Sequence, residues 1–382
     1  MKLNEICEVY SGYAFKSFND IEDGLPVVKI GNILTDGTLD LEECQFTTDS
    51  VNEKYYSNKG DIYIALSGAT TGKIGIMDKD EKYVINQRVG IVRKKSDDIP
   101  QEYIKYFLLR QTDRILQEAA GCAQPNISPK QIAEYMVPDT SKEKMQEICN
   151  ILDKTKKIID SRKTELSALD DLIKARFVEL FGDPEENPFG WDKMPLSEVI
   201  LNANNGMARR GNDEDGNIVM RLVELQDGYI DYSNPNRIIL KDNEKKRYLL
   251  KDRDFLFARV NGNPDNVGRC AVFHDIGEDV YHNDHIIRVH FNEELLDGTF
   301  ASALLNSDYG KRQLKSQIKT SAGQYTVSQD GIGAIVTILP SMDKQNQFAD
   351  FVKQVGKSKV VVQKALDEMQ LLFDSLMQQY FG

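Results

Sequence analysis

An apolar residue recurs at every seventh position between residues 142 and 182, and this spacing constrains the fold more than any other feature of the chain. The residues at these positions are Met145, Leu152, Ile159, Leu166, Ile173 and Leu180. No Pro or Gly interrupts the stretch before Gly182. Because a sustained seven-residue repeat keeps one seam of a helix facing a partner helix, the segment is predicted to form one long coiled-coil helix.

A second stretch, residues 342–382, carries the same spacing. Its apolar positions are Phe348, Val355, Val362, Met369 and Leu376. Phe181-Gly182 closes the first stretch, and Phe381-Gly382 closes the second 200 residues later. The chain is therefore predicted to consist of two similar halves, each made of a head followed by a long helix.

The predicted boundaries follow from these two stretches: 1–141 for the first head, 142–182 for the first helix, 183–341 for a linker and the second head, and 342–382 for the second helix. A helix of about 39 residues spans about 58 Å, which exceeds the width of a small domain. If the helices pack antiparallel, the fold is α+β, with two β-rich heads separated by a pair of coiled-coil helices in a pseudo-twofold repeat. The alternative is two unrelated helices that each pack on their own domain.

The composition is that of an ordinary globular protein, with 41% hydrophobic and 28% charged residues. The first residues lack the apolar core of a signal peptide, and no stretch approaches about 18 uncharged apolar residues, so we expect a cytoplasmic protein without a membrane partner. The five cysteines never occur as CxxC, which favours buried thiols. The net charge of −12 does not exclude nucleic acid, because binding requires only a local basic surface.

The first head is predicted to be rich in β-strands and to contain one helix. Short strand-like runs alternate with turn residues over 25–30, 62–66, 74–77 and 84–92. Pro100 and Gly121 are placed to start and stop a single helix over residues 101–120.

The loop from Ser67 to Lys73 is similar to a phosphate-binding P-loop but departs from it. A P-loop has four residues between its glycines and a Ser or Thr after its Lys, whereas this loop has three residues and is followed by Ile74. We therefore predict a loop between two strands, whose small residues let a ligand approach the backbone. Its candidate contacts are Ser67, Thr70, Thr71 and Lys73, the last suited to a phosphate.

Three side chains that can read base edges, Asn86, Gln87 and Arg88, interrupt the apolar run 84–92. Amides pair with adenine and Arg pairs with guanine in the major groove of DNA. The alternative is a solvent-facing strand segment. The remaining polar candidates of this head are Lys16, Gln124 and Asn126.

The order of these features repeats in the second head with different side chains. Residues 254–273 occupy the place of 61–77, and residues 283–285 stand where 86–88 stood. The candidate contacts here are Arg209, Arg210, Arg259, Asn261, Asn263, Asn283, His285, Gln324, Tyr325 and Thr326. Agreement of scaffold positions with divergence of loop side chains is the pattern expected of two recognition heads with different targets.

Neither a metal site nor a catalytic site is predicted. All four histidines lie in the second head, but His282 and His285 would point to opposite faces of a strand, and no thiol lies at ligand spacing. The fragment Asn187-Pro188-Phe189 lacks the second Pro of an amino-methyltransferase motif and lies in the linker. No nucleophile, base and orienting acid can be proposed from their spacing, so we predict that the chain is not an enzyme.

Over its whole length the chain resembles the specificity subunits of type I restriction-modification systems. The resemblance rests on the duplicated plan of head and helix and on local sequences. These are Leu3-x-Glu5-Ile6 with Ser11-Gly12, the run from Ser67 to Gly75, Gln124-x-Asn126-Ile127-Ser128 before Pro138, and Phe181-Gly182-Asp183-Pro184 with Trp191. The second head departs from the family pattern at residues 260–264 and 324–328.

The resemblance implies binding of bipartite double-stranded DNA, one half-site per head, with the helices setting the gap. It also implies two modification subunits that carry S-adenosylmethionine and methylate adenine and, in systems that have them, restriction subunits that use ATP and Mg, whereas this chain itself would bind no cofactor. Phosphate contacts would come from Lys16, Lys73, Arg209 and Arg210, and base contacts from the loop amides with Arg88, Arg259 or His285.

Two other functions fit the sequence. One is a duplicated coiled-coil scaffold that binds proteins rather than DNA, and its affinity would not depend on salt. The other is the specificity region of a fused restriction enzyme, which is disfavoured because no catalytic domain is predicted in this chain.

Overall fold

Two units make up the chain in the computed structural model, which describes residues 1–20, 24–120, 125–321 and 323–382. The first unit contains residues 1–163 and 364–382, and the second unit contains residues 164–363. Each unit therefore combines one head with segments of both long helices. Within the described ranges, none of the helices has the length and apolar character needed to cross a membrane.

The strands of the first head are short and form two sheets. They are β1 Cys7–Ser11, β2 Leu25–Val28, β3 Gln45–Thr47, β4 Ile62–Ala65, β5 Ile74–Ile76, β6 Val84–Ile85 and β7 Val89–Lys94. One sheet has the order β1-β7-β4-β5, with antiparallel neighbours. The other has the order β3-β2-β6, in which β2 and β6 run parallel.

The four-stranded sheet of the first head lies between two apolar cores. All four residues of β4 are buried, because alternate side chains of a strand face opposite sides and both sides are covered. Ile62 and Ile64 pack with the helices of the head, whereas Tyr63 and Ala65 pack with the three-stranded sheet. These helices are α1 Leu3–Ile6, α2 Gln101–Arg110, α3 Thr112–Ala119 and α4 Pro129–Ala133.

Two predicted elements of the first head are divided in the structure. The single helix predicted over 101–120 is wrong, because the backbone turns at Gln111 (φ −87°, ψ 3°) and the Thr112 hydroxyl donates to the Leu109 carbonyl oxygen at 2.9 Å. The turn allows Ile115 to reach the same core as α2. The strand-like run 84–92 is likewise two strands, since β6 and β7 pair in different sheets and residues 86–88 form the turn between them.

The two long helices are α5 Lys142–Phe181 and α10 Met342–Phe381, and each contains 40 residues. In the first unit, Leu152 near the start of α5 shares a core with Met377 near the end of α10. In the second unit, Phe177 near the end of α5 shares a core with Phe348 near the start of α10. The predicted antiparallel packing of the helices is therefore confirmed within each unit.

The predicted seam positions of the long helices are covered to different degrees. Leu152, Ile159, Val355 and Val362 are buried, and Leu166, Ile173, Met369 and Leu376 are partly buried.

The second head contains more strands than the first. They are β8 Asp192–Pro195, β9 Ile200–Asn205, β10 Asn217–Met220, β11 Arg237–Ile238, β12 Phe255–Ala258, β13 Val260–Asn261, β14 Cys270–Val272, β15 Val280–His282, β16 Ile286–Phe291, β17 Lys319–Ser321, β18 Gln324–Thr326 and β19 Val336–Leu339. Its helices are α6 Asp242–Tyr248, α7 Gly298–Asn306, α8 Asp308–Gln317 and α9 Gln329–Gly333.

The sheets of the second head repeat those of the first. Its four-stranded sheet has the order β14-β12-β16-β9, which matches β5-β4-β7-β1. Its three-stranded sheet β11-β10-β15 matches β3-β2-β6, and β10 and β15 run parallel as β2 and β6 do. The predicted internal repeat is therefore present in strand order and in strand direction.

Candidate nucleic-acid interface

Backbone hydrogen bonds gather three distant segments of the first head at one place. The Leu66 amide donates to the Arg88 carbonyl oxygen at 2.9 Å, and the Gly68 amide donates to that of Pro125 at 3.2 Å. The Ile127 amide donates in turn to the Leu66 carbonyl oxygen at 2.9 Å. Residues 66–68, 86–88 and 125–127 therefore form one surface, which we call the first loop surface.

Gly12 brings a fourth segment against the first loop surface. The Gln87 amide donates to the Tyr13 carbonyl oxygen at 2.8 Å, and the Tyr13 amide donates to that of Ile85 at 2.7 Å. A Cβ atom on Gly12 would lie 2.2 Å from the Ile85 carbonyl oxygen and 2.4 Å from that of Asn86. Only glycine permits this close approach of the two backbones.

Four of the nine described predicted contacts of the first head are exposed to solvent. Lys16, Gln87, Arg88 and Asn126 are exposed, and Ser67, Thr70, Lys73 and Asn86 are partly buried. Gln124 lies outside the described residues. The DNA-contact roles of all these residues stay predictions.

Two side chains predicted as ligand contacts hold the loops of the first head together. Thr71 is buried, and its hydroxyl donates to the Gly68 carbonyl oxygen at 2.7 Å. The Asn86 side-chain oxygen accepts from the Arg88 amide at 3.1 Å, which closes the turn that presents Gln87 and Arg88. The predicted contacts that remain available to a ligand are therefore the exposed ones, including Gln87 and Arg88.

The second head joins the equivalent segments by equivalent hydrogen bonds. The Arg259 amide donates to the His285 carbonyl oxygen at 2.7 Å, and the Val327 amide donates to that of Arg259 at 2.9 Å. Asn261 pairs with Tyr325 between β13 and β18. Residues 259–261, 283–285 and 325–327 therefore form a second loop surface on the same plan.

The close glycine approach is also repeated. A Cβ atom on Gly206 would lie 2.3 Å from the carbonyl oxygens of both His282 and Asn283. Asn283 corresponds to Asn86, since its side-chain oxygen accepts from the His285 amide at 3.0 Å, but it is more deeply buried. Among the other predicted contacts of this head, Asn263 and Gln324 are exposed, and Asn261, Tyr325 and Thr326 are partly buried.

Acceptor groups orient the arginines of the second loop surface. The guanidinium of Arg210 lies 2.7 Å from the Asp284 carboxylate and 3.1 Å from Nε2 of His285. The Arg259 guanidinium donates to the Asp284 carbonyl oxygen at 3.1 Å. Burial lowers the pKa of His285, so its ring is mostly neutral at pH 7.

Arg209 is held by a different carboxylate. Its guanidinium donates to both oxygens of Glu244, at 3.1 and 2.8 Å, and to the Ile239 carbonyl oxygen at 2.7 Å. The hydrogen bond from Arg209 lowers the pKa of Glu244, which keeps the carboxylate charged. Arg209 is thus fixed on the helix α6 side of the loop surface.

Sequence reasoning missed one further basic residue near this surface. Arg221 follows strand β10 and lies beside Arg209, Arg210 and His285. Its position after the strand that runs parallel to β15 is equivalent to that of Lys29 after β2. A comparison of the two heads strand by strand would have found it. In the part of the chain that the structure describes, no group of three or more His, Cys, Asp or Glu is arranged to hold a metal ion.

The amino-acid sequence of the first 170 residues is similar to a known family. Residues 1–170 match the family described as Type I restriction modification DNA specificity domain. Two known specificity subunits are similar to nearly all of the chain. The StySPI specificity subunit of Salmonella potsdam is 24% identical over 375 residues, which cover 94% of this chain and 81% of that protein. The EcoKI specificity subunit of Escherichia coli K12 is 21% identical over 367 residues, which cover 91% and 78%.

The fold is similar to that of one solved structure. The crystal structure of the type I restriction-modification S subunit from M. genitalium aligns with 100% of this chain and 95% of its own length, with a TM-score of 0.58 and 16% identity. At that identity the likeness concerns the fold. The predicted α+β class with two β-rich heads and two long helices is therefore confirmed.

Proposed function

We propose that the chain is the sequence-specific DNA-recognition subunit of a type I restriction-modification complex and that each head reads one half of a bipartite target. The observation that carries the proposal is the duplicated loop surface. The same backbone hydrogen bonds present Gln87 and Arg88 in one head and Asp284 and His285 in the other. Different side chains on one scaffold give the two heads different sequence preferences.

Each loop surface combines groups suited to backbone contact with groups suited to base contact. In the first head, Lys16 and Lys73 would contact phosphates and fix the register, while Arg88 at the tip of an exposed turn would donate two hydrogen bonds to guanine. In the second head, the oriented guanidinium of Arg210 would contact a phosphate, and the neutral ring of His285 would contact a base. A phosphate contact gives affinity, and a base contact gives sequence preference.

The chemistry of the complex would reside on partner chains. Two modification subunits would carry S-adenosylmethionine, extrude the target adenine from the duplex and methylate it. Restriction subunits, where present, would use ATP and Mg. Support for docking on the long helices comes from large apolar side chains that α10 leaves exposed, namely Val360, Val361 and Leu371.

The proposal is tested by coexpressing the chain with its neighbouring gene products and mapping adenine methylation in the host genome by single-molecule sequencing. We expect a gapped two-part motif that requires this chain. Replacing residues 1–141 by the corresponding head of a relative should change one half of the motif and leave the other intact. A soluble complex with a methyltransferase but without any such motif would favour the protein-binding scaffold instead.

A single substitution sharpens the test. Arg88→Ala should relax the first half of the motif at one position, because one bidentate base contact contributes about 1–3 kcal/mol of discrimination. Lys59→Ala is the matched control, since Lys59 is an exposed cation of the same head that pairs with Asp80. Unaltered methylation by the Arg88 variant would exclude Arg88 as a base contact.

A further inference from the structure

A cavity of about 510 Å³ opens beside the 283–285 turn of the second head. Its polar lining consists of three arginines, three amides and one histidine, namely Arg209, Arg210, Arg221, Asn212, Asn236, Asn283 and His285. We call it the arginine cavity. Such a lining offers many hydrogen-bond donors and favours an anionic ligand.

The carboxylates that hold these arginines are not part of the cavity lining. Glu224, which is 4% exposed, accepts from Nε of Arg221 at 2.9 Å and from Nη2 at 2.5 Å. Within the described residues, Arg221 makes no hydrogen bond through Nη1, so this nitrogen keeps its two donors for a ligand. Glu244 holds Arg209 in the same way. The guanidiniums are therefore oriented before any ligand arrives.

The shape of the cavity decides which part of a DNA duplex can enter it. Base edges lie at the floor of a groove, so only a projecting element such as the 283–285 turn can reach them. A recess in the protein surface can instead receive what projects from the duplex, which is the sugar-phosphate ridge. Arg guanidiniums match a phosphate group with two parallel hydrogen bonds.

We propose that the arginine cavity holds the sugar-phosphate ridge of one DNA strand and that Arg221 binds a phosphate there. The inference rests on the proposed DNA recognition and adds a contact that positions the second head on its half-site. With the ridge in the cavity, the adjacent 283–285 turn would enter the neighbouring groove.

At the equivalent position of the first head, the basic side chain is engaged by neighbouring residues. Lys29 takes the place of Arg221, and its amide donates to the Asn32 side chain three residues on, as the Arg221 amide does to Glu224. The Lys29 ammonium, however, lies 3.4 Å from the centre of the Phe18 ring and donates to the Gln45 side chain. An ammonium engaged in this way has less capacity for a phosphate. The two heads should therefore differ in their electrostatic contribution to binding.

The first test measures the salt dependence of binding by the full chain in complex with its modification subunits. The probe is a duplex that carries the methylated motif. Arg221→Gln should weaken binding about five- to tenfold, and the slope of log K against log salt should become shallower by about 0.9, the value for one phosphate. Arg237→Gln is the control, because Arg237 lies in the same head and pairs with Glu278 outside the cavity. Lys29→Gln should change the slope less than Arg221→Gln.

A second pair of variants avoids the cost of leaving the buried Glu224 unpaired. Val223 lines the cavity and is 64% exposed, so its replacement does not disturb the core. Val223→Glu should weaken binding and Val223→Lys should strengthen it, each about two- to fivefold at low salt, and both effects should fade as salt rises. The same two changes at Ile276, an exposed residue outside the lining, should leave affinity unaltered.

The outcomes separate this inference from the proposed function. If the wild-type complex shows no sequence-specific binding, the proposed function fails. If the wild type binds its motif while Arg221→Gln and both Val223 variants match it in affinity and salt slope, the phosphate site is refuted. A changed second half-motif in Arg221→Gln would also refute it, because it would make Arg221 a base contact.

Discussion

Adding one methyl group at Gly12 should disable the first head alone. A Cβ atom there would lie 2.2 Å from the Ile85 carbonyl oxygen, whereas real Cβ contacts essentially never fall below 3.0 Å. The Tyr13 segment and the 86–88 turn must therefore separate by about 0.8 Å or more. The Gly12 backbone does not adopt the left-handed conformation, so Gly12→Ala acts through this contact and not through backbone strain.

The expected magnitude follows from the displaced turn. Overpacking of this kind costs about 1–3 kcal/mol in the free energy of unfolding. The displaced turn carries Gln87 and Arg88, and the loss of one bidentate base contact reduces affinity for the first half-site about 5- to 150-fold. Gly206→Ala should have the same effect on the second half-site, because its Cβ would lie 2.3 Å from the Asn283 carbonyl oxygen.

Methylation mapping of the coexpressed complex provides the assay, with thermal unfolding as the measure of stability. Gly12→Ala should weaken or relax the first half of the motif and preserve the second, and Gly206→Ala should do the reverse. Gly31→Ala is the control, since a Cβ atom there meets nothing within 4 Å. A Gly12→Ala complex with a wild-type motif, methylation level and stability would show that the close approach does not position the turn.

Three further substitutions test the packing that supports the loop surfaces. Arg93→Met should lower the free energy of unfolding of the first unit by about 3–5 kcal/mol in urea titrations, because it leaves the buried Asp61 carboxylate without the guanidinium that donates to it at 2.8 and 2.6 Å. Phe381→Ala should cost about 3–5 kcal/mol by removing a buried ring, while the exposed Phe189→Ala should cost less. Burial lowers the pKa of His282 from 6.5 to about 4, so the unfolded chain binds a proton that the folded second unit excludes. Stability should therefore fall by about 3 kcal/mol as the pH drops from 6.5 to 4, and the His282→Gln variant should lack this component in urea titrations at several pH values.

The long helices were predictable because their signal is local and repeated. Six apolar positions at constant spacing predict a helix without reference to the rest of the chain, and α5 ends one residue before the predicted boundary at Gly182. The equivalence of residues 86–88 in the first head and residues 283–285 in the second was predictable for a related reason, since the order of features repeats between the heads. The structure places both segments at equivalent positions in equivalent sheets, but as turns between strands, which was not predicted from the sequence.

Contacts between residues distant in sequence were not predictable. The sequence presents Arg209 as a free cation, but Glu244 binds it from 35 positions further along the chain. Arg221 stood out in no local pattern, because its role in the arginine cavity depends on segments 209–212 and 283–285 that only the fold brings beside it. The break at Gln111 likewise depends on the core that Ile115 reaches, and not on the helix propensity of the segment.

The second unit is one continuous stretch of the chain, and the first unit is assembled from two. During synthesis the second unit has all its residues once Gln363 has left the ribosome, but the first unit still lacks the Phe381 ring that packs on Tyr103 and Phe107. The head made first is therefore the last to complete its core. The same arrangement affects recombination between related genes. Exchange of one segment, residues 164–363, transfers a whole core with its loop surface, whereas exchange of the other unit requires two separate segments.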